Sequence, residues 1–85
     1  QYNMGKRYRD GQGVEKNKEM SARWFLAAAR QGYSKAQSRV GTRCMKGDGL
    51  EKDLVEALKW LRLAAQQGEK SAAEIADKLQ ADMTD

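Results

Sequence analysis

Apolar residues in this chain recur every three or four positions and do not alternate with polar ones. That spacing predicts amphipathic helices rather than strands. From Leu54 onward, Leu54, Ala57, Leu58, Leu61, Ala64 and Ala65 form one stripe. Met20, Trp24, Ala27, Ala28 and Gln31 form another, which the same spacing assigns to the core. Ala36, Val40, Gly41 and Cys44 share the face of a third helix, and Ala72, Ile75, Ala76 and Leu79 that of a last one over residues 71–82. Met4 and Tyr8, four apart, belong to an initial helix over Gln1–Arg9. The chain has no proline, which removes the strongest helix breaker.

The polar residues set the boundaries. Asn17 is placed to cap the second helix, with Glu19 favourable in its first turn. Ser34 with Gln37, and Asp53 with Glu56, have the spacing of capping boxes. Gly32 and Gly68 stand where helices end. Asp10-Gly-Gln-Gly13 and Gly47-Asp-Gly49 read as tight turns between helices.

These features repeat. Gly5 and Gly41, Gly11 and Gly47, Gly13 and Gly49, Trp24 and Trp60, Gly32 and Gly68, and Ala36 and Ala72 are all separated by one period of 36 residues. A fixed period of this length denotes stacked supersecondary units. The expected architecture is an all-α solenoid of antiparallel helix pairs in a single domain over 1–85. Repeat one covers 1–35, repeat two 36–71, and a capping helix 72–83. Asp77 stands where Gly41's pattern would call for glycine, and a more polar terminal helix suits a cap. So short an array, already inside a repeat at its first residue, is expected to come from a longer one. Its tail is expected to fray beyond Met83.

One unit carries Ala-x-x-x-Val-Gly in its first helix and Trp-x-x-x-Ala-Ala-x-Gln-Gly at the end of its second. This resembles the Sel-one-like repeat (SLR) family, relatives of the tetratricopeptide repeats. Gly41, Gly47, Gly49, Asp53, Ala57, Trp60, Ala64, Ala65 and Gly68 match its pattern, as do Gly5, Tyr8, Gly11, Gly13, Val14, Trp24, Ala28, Ala29 and Gly32. Cys44 replaces the usual tyrosine, Asn17 the usual aspartate and Ser21 the usual alanine. The resemblance covers residues 1 to about 76. It implies a non-enzymatic α-solenoid scaffold for protein–protein contacts, in a family with many bacterial adaptor, signalling and secretion-associated members.

Composition narrows the chemistry. Of the 85 residues 40% are hydrophobic and 33% charged, in the range of a folded domain. No apolar run approaches a membrane span. Cys44 is the lone cysteine and histidine is absent, so neither a disulfide framework nor the usual zinc ligands and general bases are present. A reducing, cytoplasmic setting is mildly favoured, with a periplasmic or secreted one open. The Gly-x-Gly turns lack the third glycine of a dinucleotide loop and the Gly-Lys-Ser/Thr of a phosphate loop. Asp48, Glu51 and Asp53 lack calcium-loop spacing. No cofactor, metal or small-molecule substrate is expected. Cys44 reads as a core residue, and Trp24 and Trp60, at one repeat position, as packing residues.

Charge gives the one functional lead. Residues 1–52 carry 12 Lys/Arg against 5 Asp/Glu, a net +7, while residues 53–85 carry 4 against 7, a net −3. Lys6, Arg7, Arg9, Lys35, Arg39, Arg43 and Lys46 make up the basic run. By analogy with tetratricopeptide repeats, the first helix of each unit lines a concave face on which equivalent positions form columns. The candidate partner-binding residues are then Tyr2, Lys6, Arg9, Ser38, Thr42, Met45 and Lys46. The expected partner is a protein surface or peptide, acidic or mixed in charge. Nucleic acid is the alternative, resting on the basic first half alone. Met4 and Tyr8 have no N-terminal neighbour, which opens a route to self-association.

Overall fold

The computed structural model describes residues 1–83. Five helices follow in order: α1 Tyr2–Asp10, α2 Lys18–Arg30, α3 Ser34–Lys46, α4 Leu54–Gln66 and α5 Lys70–Met83. Among the described residues there is no strand. Each helix packs on its chain neighbours, and α3 against α4 is the most extensive contact. The molecule is elongated, 42 × 23 × 17 Å, as stacking of short helix pairs requires. The expected fraying tail, residues 84–85, lies outside the described residues.

The sequence period reappears in the hydrogen bonds. Asn17 Oδ1 accepts from Met20 N at 3.0 Å, and Asp53 Oδ1 accepts from Glu56 N at 3.1 Å. The amides of both caps donate backwards across the turn, Asn17 N to Tyr8 O and Asp53 N to Cys44 O, each at 3.0 Å. Gly11 N donates to Arg7 O and Gly47 N to Arg43 O, each at 2.7 Å. These two C-cap glycines have φ of 77° and 73°, a left-handed conformation that a side chain would strain. One local code thus builds the same turn twice.

Glycine inside a helix needs a different reason. A Cβ on Gly5 would lie 2.8 Å from Phe25 Cδ1, and one on Gly41 would lie 2.7 Å from Leu61 Cγ. Phe25 and Leu61 are themselves one period apart, and both are fully buried. Each unit therefore sinks one large apolar side chain onto the bare backbone of its own first helix. Burying such a side chain contributes roughly 1.5–3 kcal/mol. Asp77 occupies the equivalent register of α5 and turns outward to Arg62 Nη1 at 2.9 Å; Arg62 also reaches Gln80.

Four local expectations are corrected. The core face of α2 is Ser21, Ala22, Phe25, Ala28 and Ala29. Met20, Trp24 and Ala27 are only half-buried and Gln31 is exposed. Residues 24–29 are apolar on every side, so periodicity alone cannot phase this helix; the bare backbone at Gly5 selects Phe25. Ser34 is the first helical residue rather than a cap: the cap position is Tyr33, with no side-chain bond. Ser34 Oγ instead donates to Glu69 Oε1 at 3.0 Å, and Gln37 Nε2 donates to Ala29 O at 3.2 Å. These bonds tie α3 to its neighbours, so tertiary partners outcompete the local box. At α4 only half of the box forms, because the Asp53 amide that Glu56 would accept from already donates to Cys44 O; Glu56 accepts from Lys59 at 3.3 Å instead. In α4 the fully buried stripe narrows to Ala57, Leu61 and Ala64, with Leu54 exposed.

Candidate functional site

Period-related first helices place their outer faces side by side. A groove of about 560 Å³ crosses α1, α3 and the start of α5. Tyr2 and Arg9 enter it from α1, and Lys35, Ser38, Arg39, Thr42, Arg43 and Lys46 from α3. Asp48 borders it from the turn after α3; Glu69 and Ile75 border it on the α5 side. Five of the seven sequence-predicted residues, Tyr2, Arg9, Ser38, Thr42 and Lys46, are thus brought together. Lys6 is outside the lining, with its ammonium 5.7 Å from the centre of the Tyr2 ring. Met45 packs against the core instead.

Several groove side chains are already engaged. Arg9 Nε and Nη2 donate to the two carboxylate oxygens of Asp10 at 2.9 and 3.1 Å. This hydrogen-bonded pair raises the pKa of Arg9 and holds the Asp10 carboxyl below the usual carboxylate range. Tyr2 stacks tilted on Phe25 at 5.4 Å and edge-on to Tyr33 at 5.0 Å. Thr42 Oγ1 donates to Ser38 O at 2.9 Å. Asp48 sits 3.6 Å from the Lys18 ammonium.

Arg43 differs from its neighbours. It is only 9% exposed, with its guanidinium 5.2 Å from the Phe25 ring centre and one long bond, 3.5 Å, from Nη1 to Lys18 O. Burial pulls its pKa below the ordinary arginine value; Asp48 opposes this, while Arg9 and Arg39 reinforce it. Sequence reasoning put Arg43 in the basic run and missed its burial. The period gives a divided signal: 36 residues on, the same slot is Leu79, a core residue, but 36 residues back it is the exposed Arg7.

The other sequence-flagged side chains serve packing. Cys44 is buried, and burial, followed by the charges of Glu56 and Asp53, pushes its thiol pKa up. That is opposite to an activated nucleophile. Trp60 lies against the core and Trp24 is half-buried. Outside the groove, Leu58 and Leu63 line a shallow apolar hollow on α4 of about 390 Å³. No described helix is long and apolar enough to cross a membrane.

Two helices per period, stacked in register with one groove across the first helices, define an α-solenoid repeat protein. A family model described as Sel1 repeat matches residues 1–33 and again 34–69. The chain belongs to the Sel1 repeat family, whose members are generally protein-interaction modules. Among solved structures, it is similar to a Sel1 repeat protein from Oxalobacter formigenes, with 42% identity and a TM-score of 0.89 over 95% of this chain. It is also similar to a protective antigen present in uropathogenic Escherichia coli strains that displays an SLR fold, with 38% identity and a TM-score of 0.79 over 84% of this chain. The match spans 33% of the first protein and 15% of the second. Comparison with curated proteins gives no match.

Proposed function

We propose that this chain is a non-catalytic interaction module, one stretch of a longer solenoid, that holds a protein segment in the groove across α1, α3 and α5. Tyr2, Arg9, Ser38, Thr42 and Lys46 contact the partner, with Lys6 and Met45 at the margins. The observation that carries this reading is the groove itself. Three helices from successive units contribute to one continuous recess that mixes cations, hydroxyls and the apolar edges of Tyr2 and Ile75. Such a mixture of charged and apolar groups around a few large side chains suits a protein interface.

The test is capture from source cells with the wild-type chain and with a Lys6→Glu, Arg9→Glu, Lys46→Glu variant, followed by cross-linking of the captured protein. A partner cross-linked to groove residues and lost with the variant is the expected result. A partner retained by the variant moves the site to another face. Recovery of nuclease-sensitive material alone replaces the proposal with nucleic-acid binding.

A further inference from the structure

Arg43 is a buried cation without a carboxylate. Among the described residues it forms no ion pair within 4.0 Å, and Asp48 pairs with Lys18 instead. Its guanidinium carries five N–H donors, of which only the long bond to Lys18 O is used. Its other nitrogens are not sealed from solvent and lie at the groove, open to an acceptor. A leucine fills the same slot one period later, so the packing of this fold does not require an arginine there.

Arg43 is also the inner end of a stripe. Lys35, Arg39 and Arg43 are spaced i, i+4, i+8 on α3, and all three line the groove. Like charges at i, i+4 destabilise a helix by about 0.2–0.5 kcal/mol per pair, so two such pairs oppose folding. Lys35 and Arg39 form no ion pair among the described residues either. Against five groove cations stand only the carboxylates of Asp48 and Glu69, and Glu69 already accepts from Ser34.

We infer that the groove takes an extended acidic peptide segment running along α3, with one carboxylate seated on the buried Arg43 guanidinium and others on Arg39 and Lys35. This rests on the protein-binding role proposed for the groove. The spacing supports the extended form. Four helical residues rise about 6 Å. Side chains on one face of an extended strand recur about every 6.6 Å. Acidic residues at alternate positions therefore meet successive cations of the stripe. A bidentate carboxylate would satisfy the Arg43 fork in a recess where water competes poorly. A nucleic-acid strand fits less well. Asp48 and Glu69 line the same groove, and the Tyr2 ring is already packed by Phe25 and Tyr33, leaving no free platform for bases.

The test is a titration of the ¹⁵N-labelled chain, following backbone amides and arginine Nε–H signals. The probes are an octapeptide alternating Ser and Glu, a block peptide of four Ser then four Glu, an alternating Ser–Leu peptide, and an eight-nucleotide oligo-thymidine strand. The alternating acidic peptide is expected to move the Arg43 Nε–H signal together with the α3 groove amides, and to bind more tightly than the block peptide. Arg43→Lys keeps the charge and loses the fork, and is expected to weaken binding about ten-fold, the loss of one charge-assisted bond. Arg39→Gln, at an exposed position, is expected to weaken it less and serves if Arg43→Lys does not fold. Groove amides that move while Arg43 Nε–H stays still would overturn the anchor and leave the groove reading standing. The same follows if the Ser–Leu peptide binds and the acidic one does not. Tighter binding of oligo-thymidine, or no movement of groove signals with any probe, would overturn both.

Discussion

Replacing Gly41 with alanine sets two physical effects against each other. On helix propensity alone the change should stabilise α3 by about 1 kcal/mol. The tertiary structure argues the reverse. The new methyl would stand 2.7 Å from Leu61 Cγ, 2.9 Å from Leu61 Cδ2 and 3.2 Å from Ala57 O. Leu61 is fully buried and the Ala57 carbonyl is backbone, so neither can yield cheaply. To relieve the contact, α3 and α4 must separate by several tenths of an ångström along their most extensive interface. Overpacking of this kind costs roughly 1–3 kcal/mol, and here two neighbours are hit at once. We expect a net loss of about 2 kcal/mol, or roughly 8–16 °C in Tm for a domain of this size.

The partner substitution gives the sharper assay. Leu61→Ala alone should cost about 2–5 kcal/mol as a cavity. It also removes both side-chain atoms that clash, so Gly41→Ala in that background should fall to near neutral. A double-mutant cycle from urea titrations therefore predicts a coupling of about 2 kcal/mol. A stabilising osmolyte keeps all four proteins folded at the start of each titration. A higher urea midpoint for Gly41→Ala, or the same cost in both backgrounds, would refute the close-approach argument.

Three further outcomes follow from the geometry. Asn17→Ala and Asp53→Ala each remove one cap bond and should each cost about 1 kcal/mol, nearly additively because the caps belong to separate helices; urea midpoints of the singles and the double check this. The Cys44 thiol should react with a disulfide reagent at least about ten-fold more slowly in the folded chain than in urea. Because its folded pKa is raised, its contribution to stability is fully present below the unfolded value near 8.5 and is lost as pH rises through the folded one. The wild type should therefore lose more stability than Cys44→Ala between pH 7 and 9.5, and parallel losses would contradict that.

Part of the groove was readable from spacing and part was not. Tyr2 and Ser38 stand one period apart and follow from repeat register, whereas Arg9, Thr42 and Lys46 enter the groove although their period mates Met45, Lys6 and Asp10 do not line it. Met45 lies outside the groove lining and packs against the core, because one helix face grades from groove into core and the boundary depends on what the next helix covers. Phe25 was hidden within an apolar run. Its period mate Leu61, which sits in a clear stripe, would have identified it. Arg43 had no such guide, because its period mates are the buried Leu79 and the exposed Arg7.

The linear chain sets the repeat: its period, its five helices, its Asn17 and Asp53 caps and its glycine turns. Those depend on interactions within a few residues, which travel with the local sequence wherever it folds. Helix phase, the use of Ser34 and Gln37, the burial of Arg43 and the assembly of the groove depend on groups in different helices, eight residues or more apart. A polar side chain with several possible hydrogen-bond partners, or a helix apolar all round, has no single lowest-energy arrangement until neighbouring helices remove the alternatives.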